Sequence, residues 1–298
     1  MTRPVIVGSA PDSWGVWFPD DPQQTPWRRF LDEVAAAGYT RIELGPYGYL
    51  PTDPARLRDE LDQRGLTLTA GTIFEHLHRE ASWDSTWQDV SAAASLTKAM
   101  GAEHLVVIPD FWRDPQTGTV LEDARLTDEQ WLAYGRQVNR LARAVRDEYG
   151  LRTQFHPHAD THVDTHDNVE RFLHETDPAV VSLCLDTGHL AYCGGDNLRL
   201  IRDHPERIGY LHLKQVDPSV LDKVRAEGIG FGEAVRMGAM CEPPHGVPDL
   251  APILQAAAGL DAELFAIVEQ DMYPCPPEQP LPIASRTLSY LQSCGPLR

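Results

Sequence analysis

The feature that most restricts this chain is a rhythm. Eight short apolar or β-branched runs recur along it: "VIVGSA" (5–10), "RIELG" (41–45), "LTLTAGTI" (66–73), "HLVVIP" (104–109), "RTQFHPH" (152–158), "VSLCLD" (181–186), "IGYLHLKQV" (208–216) and "LFAIVEQ" (264–270). Their near-continuous apolar character suits strands covered on both faces, as in a parallel sheet. The segments between them carry helix punctuation. Thr25 and Pro26 open one and Gly38 closes it; Asp53, Pro54 and Gly65 repeat the device. Thr127 and Gln130 have capping-box spacing before a helix that stops at Gly150, and "PDLAPILQAAAG" stops at Gly259. Further helices are expected over 85–100, 167–176, 196–204 and 282–293. Eight strands alternating with helices predict an α/β fold, a single (β/α)8 TIM barrel occupying 1–298 as one domain. A doubly wound sheet is the other arrangement. Its only Gly-rich candidate, "GIGFGEA" at 228–234, lacks nucleotide-binding spacing. The Gly- and Pro-rich stretch 217–247 reads as a long loop with a short helix over one barrel face.

Charge narrows the partners. The formal net charge is −18, from 44 acidic and 26 basic residues. Such a surface repels phosphate backbones and anionic bilayers, so neither nucleic acid nor membrane is an expected partner. A neutral small molecule is the better fit. No apolar run reaches the ~18 residues a membrane span needs, and "MTRPVIVGSAPDSWG" lacks the apolar core of a signal peptide. The five cysteines, 184, 193, 241, 275 and 294, form no CxxC pair. Their odd number fits a reducing compartment, so a cytoplasmic location is expected. Cys184 reads as a small core residue. No interface is legible, which leaves a homo-oligomer open.

In a barrel of this kind chemistry belongs at the C-terminal ends of the strands. Polar groups interrupt the apolar runs at that level: Glu43 in the second, His156 and His158 in the fifth, Asp186 and His189 in "CLDTGH", His212 and Lys214 in "LHLKQ", and Glu269 in "IVEQD". Unpaired charges there are costly, and one divalent cation would offset several of them. His156, Asp186, His212 and Glu269 come from four consecutive strands and form the best four-ligand set. Two imidazoles and two carboxylates suit Mn²⁺, Co²⁺, Zn²⁺ or Fe²⁺ better than Ca²⁺. Taken singly, Asp186 could be a helix cap and His212 a satisfied core histidine. His158 and His189 could move protons or support the ligands. Lys214 could act on substrate or pair with a carboxylate, and Glu43 could be an acid/base or the partner of Lys214. "PDSWGVWFPD" places Trp14 and Trp17 near the mouth, where aromatic faces pack against sugar or cyclitol rings. "FEHLHRE" (74–80), with Glu75, His76 and His78, follows the third strand and could line the pocket, but reads better as a polar loop.

Together "FHPHADTHVDT", "TDPAVVSLCLDTGHLAYCGGD", "ERIGYLHLKQV" and "IVEQD" resemble the xylose-isomerase-like sugar isomerase/epimerase barrels, and within them the inosose dehydratases. The resemblance covers nearly the whole chain. It implies metal ligation by His156, Asp186, His212 and Glu269, with Mn²⁺ or Co²⁺ expected first and Zn²⁺ or Fe²⁺ next. It implies a hydro-lyase of inositol catabolism acting on a keto-cyclitol or keto-sugar such as 2-keto-myo-inositol. Abstraction of an α-proton would give a metal-stabilised enolate that expels a β-hydroxyl. His158, His189, Lys214 and Glu43 are the candidate proton-handling groups. An isomerase or epimerase using the same enediolate is the alternative. It is disfavoured because His156 stands where many such enzymes carry glutamate. The chain departs from the dehydratase pattern at Ile267, at Gln215 in "HLKQ", and at "PHG", which sets His245 at the expected pocket edge.

Overall fold

A computed structural model describes residues 3–295 and residue 297. Eight parallel strands close into a barrel in the order β1-β8-β7-β6-β5-β4-β3-β2. They are β1 Ile6–Ser9, β2 Arg41–Pro46, β3 Thr67–Glu75, β4 His104–Pro109, β5 Arg152–Phe155, β6 Val181–Asp186, β7 Ile208–Leu213 and β8 Phe265–Val268. The seam pairs Ile6 with Phe265 and Ser9 with Val268. The (β/α)8 expectation therefore holds. No helix among the described residues is long and apolar enough to cross a membrane.

The strands sort their side chains by parity, as a pleated backbone requires. In β6, Val181, Leu183 and Leu185 face outward into the apolar layer beneath the helices, and Cys184 packs inside. In β7, Leu211 and Leu213 face outward, while Tyr210 joins the interior cluster with Val106, Ile108 and Ile267. Aromatic stacking reinforces the outer layer: Phe155 lies on Phe172 with ring centroids 3.8 Å apart. Deeper in the barrel, His104 Nδ1 meets Gln154 Nε2 at 3.0 Å, and the Thr69 and Tyr210 hydroxyls lie 2.7 Å apart. Burial pushes His104 down to about 4.

Several local expectations need correction. Strands five and seven end earlier than their apolar patterns suggest, so His156, His158 and Lys214 lie just past the ladder. His156 N–H still donates to Val107 O at 2.9 Å and continues the pairing direction. Gln215–Val216 instead forms a small antiparallel ribbon with Met240–Cys241. The helix Trp27–Ala36 takes Pro26 rather than Thr25 as its N-cap, with no side-chain cap bond. The capping box of Thr127 and Gln130 is present on Asp128–Tyr149. The segment 217–247 is not mainly loop. It contains helices Pro218–Glu227 and Phe231–Arg236. Asp217 caps the first, accepting from Ser219 N–H at 2.8 Å, and Gly228 stops it at φ 64°. Its glycines and prolines punctuate short helices; they do not prevent them.

Candidate active site and metal centre

The β-strand ends deliver His156, Asp186, His212 and Glu269 to one place. One ligand-capable atom from each lies within 4.8 Å of those from the others, and all four residues are buried. His156 Nε2 is 3.3 Å from Asp186 Oδ2. His212 Nδ1 is 2.9 Å from Glu269 Oε2 and 3.7 Å from Asp186 Oδ2. The other nitrogen of His212, Nε2, donates to Glu43 Oε1 at 2.7 Å. Burial opposes a charge on this ring, but Cys184, Glu269 and Glu43 raise its pKa well above the usual histidine value. Nδ1 has no hydrogen bond of good geometry, so a metal ion could replace a proton there, with Nε2–H still held by Glu43. Two buried carboxylates facing this nitrogen need a positive charge between them, which a proton or a metal ion can supply. The donor set therefore fits a divalent ion. A second grouping substitutes Cys184 for the carboxylates. Burial pushes that thiol up to about 12, which makes it the poorer donor.

Asp186 is held by its chain position. Its Oδ1 accepts from His189 N–H at 2.7 Å and caps the helix Thr187–Tyr192, while Oδ2 faces the other donors. The glycine of "DTGH" has its own cause: a Cβ on Gly188 would come within 2.4 Å of Lys214 Cβ. Only glycine lets this helix start close against the end of β7. Burial acts to raise the Asp186 carboxyl, but Lys214, His156 and His212 outweigh it and hold the group at about 2.

Lys214 Nζ sits 2.9 Å from Glu269 Oε2, 3.0 Å from Asp271 Oδ2 and 3.4 Å from Asp186 Oδ2. Burial opposes its charge, yet Asp186, Asp271 and Glu269 raise its pKa well above the usual lysine value. It is a buried ammonium at the cavity wall. The same Nζ lies 3.1 Å from His189 Nε2, and Ala159 N–H points at His189 Nδ1 from 3.4 Å. Burial, His158 and Lys214 all depress the His189 pKa, so the ring stays neutral. His158 is also neutral, chiefly through burial. Its Nδ1–H donates to Ala159 O at 2.8 Å, which leaves Nε2 as an acceptor on a ring that lines the cavity. The His158 and His189 rings are 3.7 Å apart.

The cavity above these groups has a volume of about 540 Å³ and reaches His156, His158, Lys214 and Glu269. Trp17 lines it, with its indole Nε1–H donating to Asp271 Oδ1 at 3.1 Å and its ring stacked on Tyr273 at 5.1 Å. Trp14 does not. It is buried in the outer layer, edge-on to Phe30 at 5.0 Å, and donates to Glu33 Oε2 at 2.9 Å. The two tryptophans lie on opposite sides of a turn, and only one faces inward. His245 is exposed and absent from the cavity wall. Glu43 lies beneath His212 and does not pair with Lys214. Its second oxygen accepts from Thr72 Oγ1 at 3.1 Å.

Three wall residues, Asp12, Asp271 and Phe231, escaped the sequence reading, and a fourth, Glu75, was assigned to a polar loop. Asp12 follows β1, and its carboxyl is raised by burial and then by Glu269 and Asp271. Asp271 shares the parity of Glu269 and was legible in "IVEQD". Glu75 ends β3, and burial pushes it up to about 7 against a bond from Thr86. Phe231, from the Gly-rich stretch, packs over His158 and His189 at 5.0 and 4.9 Å. No local pattern announces it, because its helix start is held from a distance: Phe231 N–H donates to Asp160 Oδ2 at 2.7 Å.

A closed parallel barrel with buried imidazole and carboxylate donors at its C-terminal mouth defines a TIM-barrel enzyme, and this chain belongs to the xylose isomerase-like TIM barrel family, whose profile matches residues 31–294. Within the family it is inosose dehydratase-like along its length. It is 31% identical to the inosose dehydratase of Geobacillus thermodenitrificans (strain NG80-2) over 296 residues, 98% of each chain. It is 32% identical to the rhizopine catabolism protein MocC of Rhizobium meliloti over 268 residues, 87% of this chain and 80% of that one. A crystal structure of the IOLI protein with a binding zinc atom shares the fold at a TM-score of 0.71 and 14% identity, covering 98% of both chains.

Proposed function

We propose that this protein is a metal-dependent dehydratase of a keto-cyclitol or closely related keto-sugar, with His156, Asp186, His212 and Glu269 as the metal ligands. The observation that carries the reading is the convergence of four buried donors, His156, Asp186, His212 and Glu269, with ligand atoms within 4.8 Å of one another on the cavity floor. A divalent cation held there would polarise a ketone and increase the acidity of the adjacent C–H. Mn²⁺ and Co²⁺ are the first candidates. Zn²⁺, which the IOLI structure holds, and Fe²⁺ suit the same donors. The full-length similarity to an inosose dehydratase supports the choice of substrate class.

The chain's own groups supply the proton chemistry. His158 Nε2 is the base in this reading: it is neutral, unprotonated, and faces the cavity. Lys214 places a positive charge beside the reacting oxygen and can donate a proton to the departing hydroxyl, with neutral His189 behind it to accept or return one. Glu43 acts through His212 by fixing its tautomer. Trp17 offers a flat apolar face to the C–H side of a ring. Carboxylates at Asp12, Asp110, Asp114 and Asp271 line the walls, so a neutral polyol enters more readily than a phosphorylated sugar. The volume lies within the roughly 300–1,000 Å³ of small-molecule sites. Five free cysteines suit a reducing compartment, which supports a cytoplasmic location.

The test is to strip metal with a chelator, restore Mn²⁺, Co²⁺ or Zn²⁺ in turn, and supply 2-keto-myo-inositol. The expected product has lost water and absorbs as a conjugated enol or diketone, and only metal-restored protein forms it. A product of unchanged mass and altered stereochemistry would assign an epimerase instead. Equal turnover with and without metal would overturn the metal reading.

A further inference from the structure

Two histidines from motifs that the site above leaves unused meet at the barrel rim. His78 follows β3, His162 follows β5, and Glu122 lies between β4 and the helix Asp128–Tyr149. His78 Nε2 is 3.0 Å from the Glu122 carboxylate, and His162 Nε2 is 3.3 Å from Glu122 Oε1. One ligand-capable atom from each of the three lies within 4.8 Å of the others. The trio shares no residue with the donor set on the cavity floor.

The orientation of His162 is informative. Its ring is buried, and Nδ1–H donates to Ala124 O at 3.2 Å. With that bond kept, Nε2, 3.3 Å from Glu122 Oε1, is the nitrogen that could turn a lone pair to an ion. One ring nitrogen tied to a backbone carbonyl and the other facing an anion is the posture of a ligating histidine. Arg79 donates to Glu122 Oε2 at 2.8 Å, and His78 Nε2 lies 3.0 Å from both oxygens of that carboxylate, so Oε1 is the one within reach of both imidazoles and free of the guanidinium. The His78 ring stands edge-on to His162, with centroids 4.7 Å apart.

We propose that His78, Glu122 and His162 form a second divalent-cation site, of the zinc type. Two imidazoles and one carboxylate make a tetrahedral set with one position left for water. Three separate loops supply the ligands, so the ion fastens them together. The segment carrying Glu122 also contributes Asp110, Phe111, Pro115 and Leu121 to the cavity wall. It is also tied by the bridge of Phe111 to Thr161 and by Trp112 N–H donating to Asp160 O at 3.0 Å. The ion therefore positions one wall of the cavity and takes no part in the reaction.

The experiment compares zinc uptake by the full-length, chelator-stripped protein with uptake by Glu122→Gln and His162→Gln. Bound metal is measured after gel filtration, with far-UV circular dichroism to confirm folding. Each folded variant is expected to bind one equivalent fewer than the unaltered protein, whatever total the latter reaches. The difference is thus independent of the floor site. Equal uptake by the unaltered protein and a folded variant would overturn the proposal and leave a proton as the occupant facing Glu122. Crystals of the unaltered protein grown with stoichiometric ZnCl₂ provide the second arm. An anomalous peak at the zinc edge between the three side chains supports the site, and no peak there overturns it, even if both variants fail to fold.

Discussion

Glu43→Gln separates two roles that a buried glutamate near a reaction centre can have. The Glu43 and His212 side chains are 1% and 0% exposed and joined by a 2.7 Å bond. Glutamine keeps the shape and an acceptor oxygen but removes the charge. Its amide can still face Thr72, so the fold should persist. What is lost is the anion that makes His212 a stronger ligand. Removing such a partner weakens metal affinity about 10–100-fold, which is about 1.4–2.7 kcal/mol at ~1.36 kcal/mol per decade. A charge-assisted hydrogen bond is worth about 1.5–3 kcal/mol, so the two routes to the number agree. The assay is competitive chelator titration of the stripped protein, with turnover then measured at saturating metal. Affinity should fall by about one to two decades while saturated turnover stays within a few-fold. Unchanged affinity with turnover reduced by ~100-fold or more, the scale of a lost acid or base, would refute the reasoning. Glu43 would then be moving protons itself.

Lys214→Met should lower turnover by about 10²–10⁴-fold while the protein still takes up metal, as metal analysis of the purified variant would show. Parallel loss of metal and activity would make Lys214 structural. The acid side of the stability profile should carry a signature of His104. Its pKa is about 4 folded and 6.5 unfolded, so the unfolded chain binds the extra proton between those values. Its contribution is intact above the unfolded value and is lost as pH falls toward 4. The difference corresponds to about 3 kcal/mol. His104→Gln should therefore flatten the stability curve between pH 7 and 4 in urea titrations. Curves for the two proteins that run parallel across that range would exclude the idea.

The barrel was legible because its strands are apolar on both faces and its helices end in glycine or begin with caps. β4 and β6 match their sequence patterns end to end. The convergence of His156, Asp186, His212 and Glu269 was also readable, since strand order and strand ends together bring those positions into one layer. Partners reached across the barrel were not. Glu43 pairs with His212 over a separation of 169 residues, and nothing near either residue signals it. Trp14 and Trp17 differ in fate because a turn, not a strand, sets their directions. The rim trio was hidden for a related reason. "FEHLHRE" looks like an ordinary polar loop until the fold brings Glu122 and His162 against it. The helical content of 217–247 was underestimated, one short helix expected against two observed, because the Gly and Pro there mark helix ends and their density read as loop.

Asp186 serves as both a cap and a cavity donor, and the two duties are mechanically linked. One oxygen is clamped by the first turn of a helix that Gly188 lets lie against β7. The other cannot swing to follow an oversized ion without unpicking that turn. In the proposed metal site, ion radius would be gauged against the stiffness of a helix start, and a substitution far along Thr187–Tyr192 that loosens the turn would broaden which metals the pocket accepts.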